Sequence, residues 1–183
     1  MNEKKILYEN RDIDKKCQIK NKNFVEETLK TLNLESENLK FRQIEKEDYH
    51  KSYFELLSQL TVADKPDYDS WLQRFEEIAD ANLTKIFVVE DLNEKKIIAT
   101  ITCYTELKFI RNLGKICHIE DFVIEENYRN QKLGSKLINL AINYAKNIGC
   151  YKIILQSREE ATPFYEKFGF TKNSQAMAYY FNK

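Results

Sequence analysis

The chain lacks most of the features that give a function away at once. It has no net charge: Lys plus Arg and Asp plus Glu number 29 each over 183 residues. No overall field therefore draws it to nucleic acid or to an anionic membrane, although a local basic pocket for a small anion is compatible with that balance. It has no close cysteine pair. Cys17, Cys103, Cys117 and Cys150 are too widely and irregularly spaced for a zinc clamp or a redox pair, so they read as four reduced thiols and imply no metal. It has no apolar run near the roughly 18 residues of a membrane span. Residues 1–22 are charged and lack the apolar core of a signal peptide, which makes a cytoplasmic or nuclear protein the default expectation, the cytoplasm being preferred. No internal repeat is present either.

What is there suits one domain with an appendage, long enough to bury a core without disulfide or metal staples. Residues 1–39 form an N-terminal extension rich in Lys, Glu and Asn, in which Phe24, Val25, Leu29, Leu32 and Leu34 have the spacing of one short helix. Residues 40–183 have the texture of the folded domain. Residues 41–44 read as a strand, and Tyr53, Leu56, Leu57 and Leu60 recur at helical spacing. Trp71, Leu72, Phe75 and Ile78 mark a second amphipathic helix over 67–79. Two apolar runs, 85–90 and 96–104, bracket a polar turn as a hairpin. Another strand spans 115–124, followed by a helix that Gly149 stops, a short strand over 152–155, and a helix opened by Pro163 and capped by Gly169. Phe170 and residues 176–181 read as the last strands, the aromatic ending suiting a buried strand better than a free tail. Strands and helices so interspersed predict an α/β (α+β) fold.

The informative unit is the strand Asp121-Phe122-Val123-Ile124, the loop after it, and the helix that Leu133 begins. A glycine near a helix start lets unpaired amides and the helix dipole approach an anion, as pyrophosphate sites do. A glycine so placed is also common in plain turns. His118 alternates with apolar neighbours in a strand and reads as a structural histidine, not a base. His50 reads as solvent-facing, and Glu125-Glu126 as turn surface.

Arg129-Asn130-Gln131-Lys132-Leu133-Gly134 resembles the acyl-CoA loop of the GNAT superfamily, Arg/Gln-x-x-Gly-x-Gly/Ala, with Lys132 where the pattern has its first glycine. Two further strings resemble one family within it, glucosamine-6-phosphate N-acetyltransferase: His118-Ile119-Glu120-Asp121, and residues 149–155 followed by Phe164-Tyr165-Glu166-Lys167-Phe168-Gly169-Phe170. The likeness runs from about Phe41 to the C-terminus. It implies a GNAT fold, a mixed and mostly antiparallel central sheet with a V-shaped splay between two parallel strands, flanked by helices. It implies acetyl-CoA as co-substrate, lying along Phe122, Val123 and Ile124 with its pyrophosphate at Arg129, Asn130, Gln131, Lys132, Leu133, Gly134 and Ser135. An amino-sugar phosphate would fall to Thr61, Lys108, Arg111, Glu120, Asp121, Tyr151, Lys152 and Gln156, with Lys108 and Arg111 suited to the phosphate.

The same resemblance implies Glu120 as base, the Phe122 or Val123 amide as oxyanion donor, Tyr165 as the acid that protonates the departing thiolate, and a homodimer that pairs or exchanges C-terminal strands. Three positions depart from the family: Arg111 replaces a histidine, Gln156 an aspartate, and Tyr179-Tyr180 an arginine. Two other readings stay open at this point. One is a GNAT enzyme for another amine, such as a polyamine or a protein; the other is a non-catalytic acyl-CoA-binding module.

Overall fold

A computed structural model of the chain describes residues 38–181; the helix expected around Phe24 to Leu34 lies outside them. Five strands form one sheet in the order β1 (Leu39–Gln43), β2 (Thr84–Asp91), β3 (Lys96–Leu107), β4 (Lys115–Ile124) and β5 (Cys150–Leu155). All neighbours are antiparallel except β4 and β5, which are parallel. Among the described residues four α-helices of five residues or more accompany them: α1 (Tyr53–Leu57), α2 (Tyr68–Ala81), α3 (Leu133–Asn147) and α4 (Thr162–Glu166).

Local chemistry explains most boundaries. Asp67 caps α2 by accepting from the Ser70 N–H at 2.9 Å, and Gly149 leaves α3 in the left-handed region at φ 78°, where a β-carbon is costly. α1 is shorter than the stripe through Leu60 predicts. After Leu57 the chain tightens into i→i+3 bonds, Gln59 N–H to Leu56 O and Leu60 N–H to Leu57 O, and Leu60 leaves the helix half-exposed.

Each face of the sheet has its own core. On one, α3 lays Leu137, Ile138, Leu140 and Ala141 against Phe87, Ala99, Ile101 and Cys103, all at most 1 % exposed. On the other, Tyr53, Leu56 and Trp71 cover Val88, Ile97 and Val123. A buried ion cluster pins the second layer. Arg42 donates to both oxygens of Asp48 at 2.6 Å and to Glu90 at 2.6 Å, while Lys51 reaches Glu90 at 2.7 Å. Asp48 is fully buried and also caps the Glu45 N–H. Burying charge is tolerable only when it is paired and bonded in this way.

The last strands expected at Phe170 and over 176–181 do not form: residues 171–181 have no regular structure. A strand needs a hydrogen-bonding edge, and the tail takes up neither free edge of the sheet. Met177 is 97 % and Phe181 91 % exposed.

Candidate active site

The site originates in a pairing that stops. β4 and β5 pair from Lys115↔Cys150 to Ile119↔Leu155, with one register shift that leaves Tyr151 unmatched, after which β4 continues to Ile124 paired only with β3. Main-chain groups of residues 120–124 that point away from β3 therefore have no neighbouring strand to bond, and Ile124 O accepts from Arg129 Nε at 3.2 Å instead. A bulge sharpens the divergence. Thr102 faces Glu120 and Thr100 faces Val123, so Asp121 and Phe122 together oppose Ile101, with Asp121 at φ 45°. The result is a cleft of about 790 Å³ between β4, the chain after β5, α4 and the start of α3.

At one end of the cleft is the loop between β4 and α3. Asn130 (φ 64°) and Lys132 (φ 63°) are both left-handed, an arrangement costing roughly 1 kcal/mol or more for each non-glycine residue. Lys132 is the N-cap of α3 and supplies no side-chain cap. The first helical bond runs from the Lys136 N–H to Lys132 O, leaving the amides of Leu133, Gly134 and Ser135 without helical acceptors. Gly134 has a steric reason to be glycine. A β-carbon there would stand 3.2 Å from both Ile124 Cδ1 and Phe164 Cζ, so those side chains would have to give by a few tenths of an ångström to admit one.

At the other end stand Glu120, Asp121, Gln156 and Tyr165. The Glu120 and Asp121 carboxylates make no hydrogen bond or ion pair among the described residues, and burial pushes the Asp121 pKa upward. Tyr165 belongs to an aromatic cluster with Phe164 (ring centroids 5.2 Å), Phe170 (5.9 Å) and Phe122 (6.4 Å). Burial raises its pKa above the usual phenol value, so the hydroxyl holds its proton through the neutral range. An open amide ladder, a carboxylate, and a phenol poised to give a proton can together serve acyl transfer to an amine.

The cleft thus gathers Glu120, Asp121, Phe122, Val123, Ile124, Arg129, Asn130, Lys132, Leu133, Gly134, Ser135, Gln156 and Tyr165. It does not gather the rest of the predicted set. Gln131 is turned back, its amide donating to Asn127 O at 3.3 Å, and Thr61 lies one residue beyond the lining Leu60. Lys108, Arg111, Tyr151 and Lys152 stand at the opposite end of the β4–β5 pair. Lys108 is ion-paired to Glu106, which also meets His118 Nε2 at 3.0 Å. Arg111 and Lys152 lie 6.0 and 5.9 Å from the Tyr151 ring centroid. Arg111, Asn112 and Leu113 are consecutive left-handed residues, which no sequence signal at these positions announces. Arg158 and Gln59 also line the cleft and were not foreseen. Arg158 follows the fifth strand too closely for any spacing rule to single it out. Among the described residues no group of three or more His, Cys, Asp or Glu is placed to hold a metal ion, and no helix is long and apolar enough to cross a membrane.

Residues 41–170 match the acetyltransferase (GNAT) family model. The chain is 38% identical over 148 residues to a glucosamine 6-phosphate N-acetyltransferase of Arabidopsis thaliana, covering 80% of this chain and 99% of that protein. It is 39% identical over 145 residues to glucosamine 6-phosphate N-acetyltransferase 1 of Dictyostelium discoideum, covering 79% and 92%. The crystal structure of the Arabidopsis thaliana glucosamine-6-phosphate N-acetyltransferase superposes with a TM-score of 0.77, over 80% of this chain and 100% of that one.

Proposed function

The chain belongs to the acetyltransferase (GNAT) family, and from that premise we propose that it transfers the acetyl group of acetyl-CoA to the amine of D-glucosamine 6-phosphate. The products are N-acetyl-D-glucosamine 6-phosphate and free coenzyme A. The observation that carries the reaction type is the parallel pair that parts after Ile119↔Leu155, beside a helix start with free amides. The acceptor rests on the two relatives of that name, at 38 and 39% identity over about four-fifths of the chain.

In this reading the pantetheine arm lies along the unpaired side of Phe122, Val123 and Ile124, and the pyrophosphate meets the amides of residues 130–135. Lys132 adds an ammonium and Arg129 a guanidinium. Glu120 takes the proton of the attacking ammonium, the Phe122 or Val123 amide steadies the tetrahedral oxyanion, and Tyr165 protonates the leaving thiolate. Attack is direct, with no covalent enzyme intermediate. The product would feed UDP-N-acetylglucosamine synthesis.

Lys108 and Arg111 require a second chain. The Lys108 N–H bonds to Gly114 O, and Gly114 lies six residues before Glu120. In an extended strand that is roughly 20 Å, far longer than a hexosamine phosphate. We therefore propose a homodimer in which the 108–113 loop of the other copy supplies the phosphate contacts. Exposed apolar side chains support it: Phe109 is 95 %, Leu113 71 % and Phe181 91 % exposed. Light scattering on the full chain tests this, and a stable monomer at micromolar concentration would remove it.

One observation favours another acceptor within the same family. Gln156 offers an amide oxygen in the cleft but no charge to hold a sugar ammonium. Thiol release from acetyl-CoA decides among glucosamine 6-phosphate, glucosamine, spermidine and a lysine peptide. Clear preference for the sugar phosphate is expected. Preference for another amine would retain acetyl transfer and discard the sugar-phosphate pocket, and coenzyme binding with silence toward every amine would point to a binding module.

A further inference from the structure

Residues 129–132, which lead into α3, are exposed, and two of them are left-handed. A loop that stores strain and presents amides to a ligand needs fixed ends, because an unanchored one would relax and lose the convergence of its N–H groups. Its downstream end is fixed by Leu133, 2 % exposed in the core. Its upstream end is fixed at Tyr128, the last residue before the exposed stretch. The Tyr128 hydroxyl donates to Asp91 Oδ2 at 2.7 Å, although Asp91 is 37 residues away at the end of β2.

Asp91 is itself held rigidly. It is 7 % exposed, and its other oxygen accepts from the Asn93 and Glu94 N–H groups at 2.9 and 3.0 Å, closing the β2–β3 turn. Lys96 across that turn reinforces the link, pairing with Glu125 at 3.1 Å and lying 5.3 Å from the Tyr128 ring centroid. The turn of the first hairpin thus reaches across the sheet edge to grip the start of the anion-binding loop.

We propose that Asp91 and Tyr128 are positioning residues for the pyrophosphate of acetyl-CoA: the carboxylate fixes the hydroxyl, and the hydroxyl sets where the amides of residues 130–135 begin. This rests on the acyl-CoA reading of the loop given above. Neither residue acts on the acetyl group or the amine, so the pair affects the coenzyme's nucleotide half and leaves the chemistry alone. That separates it from a merely structural bond, whose loss would lower stability and weaken every donor alike.

The test compares acetyl-CoA with acetylpantetheine, which carries the thioester but no pyrophosphate, on the wild-type chain and on Tyr128→Phe, which keeps the ring and removes only the hydroxyl. Tyr128→Phe is expected to lower kcat/KM for acetyl-CoA about tenfold through KM, with kcat and the amine KM unchanged and kcat/KM for acetylpantetheine within about twofold. Asp91→Asn keeps the turn cap and can return a weaker neutral bond to Tyr128, so its loss on acetyl-CoA is expected to be smaller and equally absent with acetylpantetheine. Equal losses on both donors, or no loss on either, would overturn the proposal while leaving the acyl-CoA reading intact. A wild-type chain that does not prefer acetyl-CoA to acetylpantetheine would overturn both.

Discussion

β2 and β3 share eight residue pairs, from Thr84↔Tyr104 to Asp91↔Lys96, whereas β4 and β5 share five and then part. The first pair is overdetermined. It pairs along the whole of β2 with a single bulge between Val89 and Glu90, and has a dry core on one face and on the other Glu90 locked into the buried cluster of Arg42, Asp48 and Lys51. The second pair gives up hydrogen bonds, accepts left-handed residues at Asp121, Asn130 and Lys132, and leaves the exposed carboxylates of Glu120 and Asp121 with no partner among the described residues. Reactive groups have to be underbonded to bind anything, and such groups persist only where the remainder of the fold is secure. The comparison puts the more fully bonded part of the fold on the β1–β3 side and the open cleft on the β4–β5 side.

The hardest way to break that assignment is at the ion cluster. Arg42→Met leaves Asp48 and Glu90 with Lys51 as their one remaining cation, and urea unfolding is expected to show a loss of about 3–5 kcal/mol. Acetyl transfer per folded molecule should stay within about twofold, since Arg42 lies outside the cleft. Glu120→Gln does the reverse. It removes the proposed base from an exposed position, so kcat is expected to fall by about 10² or more with the melting temperature nearly unchanged.

Lys132→Gly sharpens the contrast within one residue. It relieves a left-handed conformation, which raises the melting temperature slightly, and deletes an ammonium from the pyrophosphate end, which raises KM for acetyl-CoA by about threefold to tenfold. The smallest effect is expected at Asp121. Its folded-state pKa is raised by burial, so whatever its protonated form contributes to stability is present below the unfolded value and lost as pH rises through the folded one. Asp121→Asn should therefore melt higher than wild type at pH 7, with the gain vanishing near pH 3, and should transfer acetyl groups more slowly if Asp121 meets the acceptor.

Much of the stable half could be read from the chain. Periodicity located α2 and α3, and alternation with a polar turn located β2 and β3, because those elements bury one face continuously. The glycine and the following helix singled out the loop from Arg129 to Gly134, and all of it except Gln131 lines the cleft. Other features depend on partners that spacing does not encode. The cluster at Asp48 joins residues 42, 48, 51 and 90, and the tether from Tyr128 ends 37 residues earlier. The separation of Lys108 and Arg111 from Glu120 follows from strand direction and register, which a list of site residues leaves out. The aromatic tail carries the composition of a strand but pairs with neither free edge of the sheet, so composition alone misplaced it.

The central claim is that coenzyme binds where β4 loses its partner. The most direct measurement is a titration of ¹⁵N-labelled full chain with coenzyme A, following backbone amide resonances. The account predicts the largest shifts at Phe122, Val123, Ile124 and residues 130–135, with β2 and the first half of β3 nearly silent. Saturable shifts concentrated on β2, α2 or the 108–113 loop, with residues 122–135 unmoved, would contradict it.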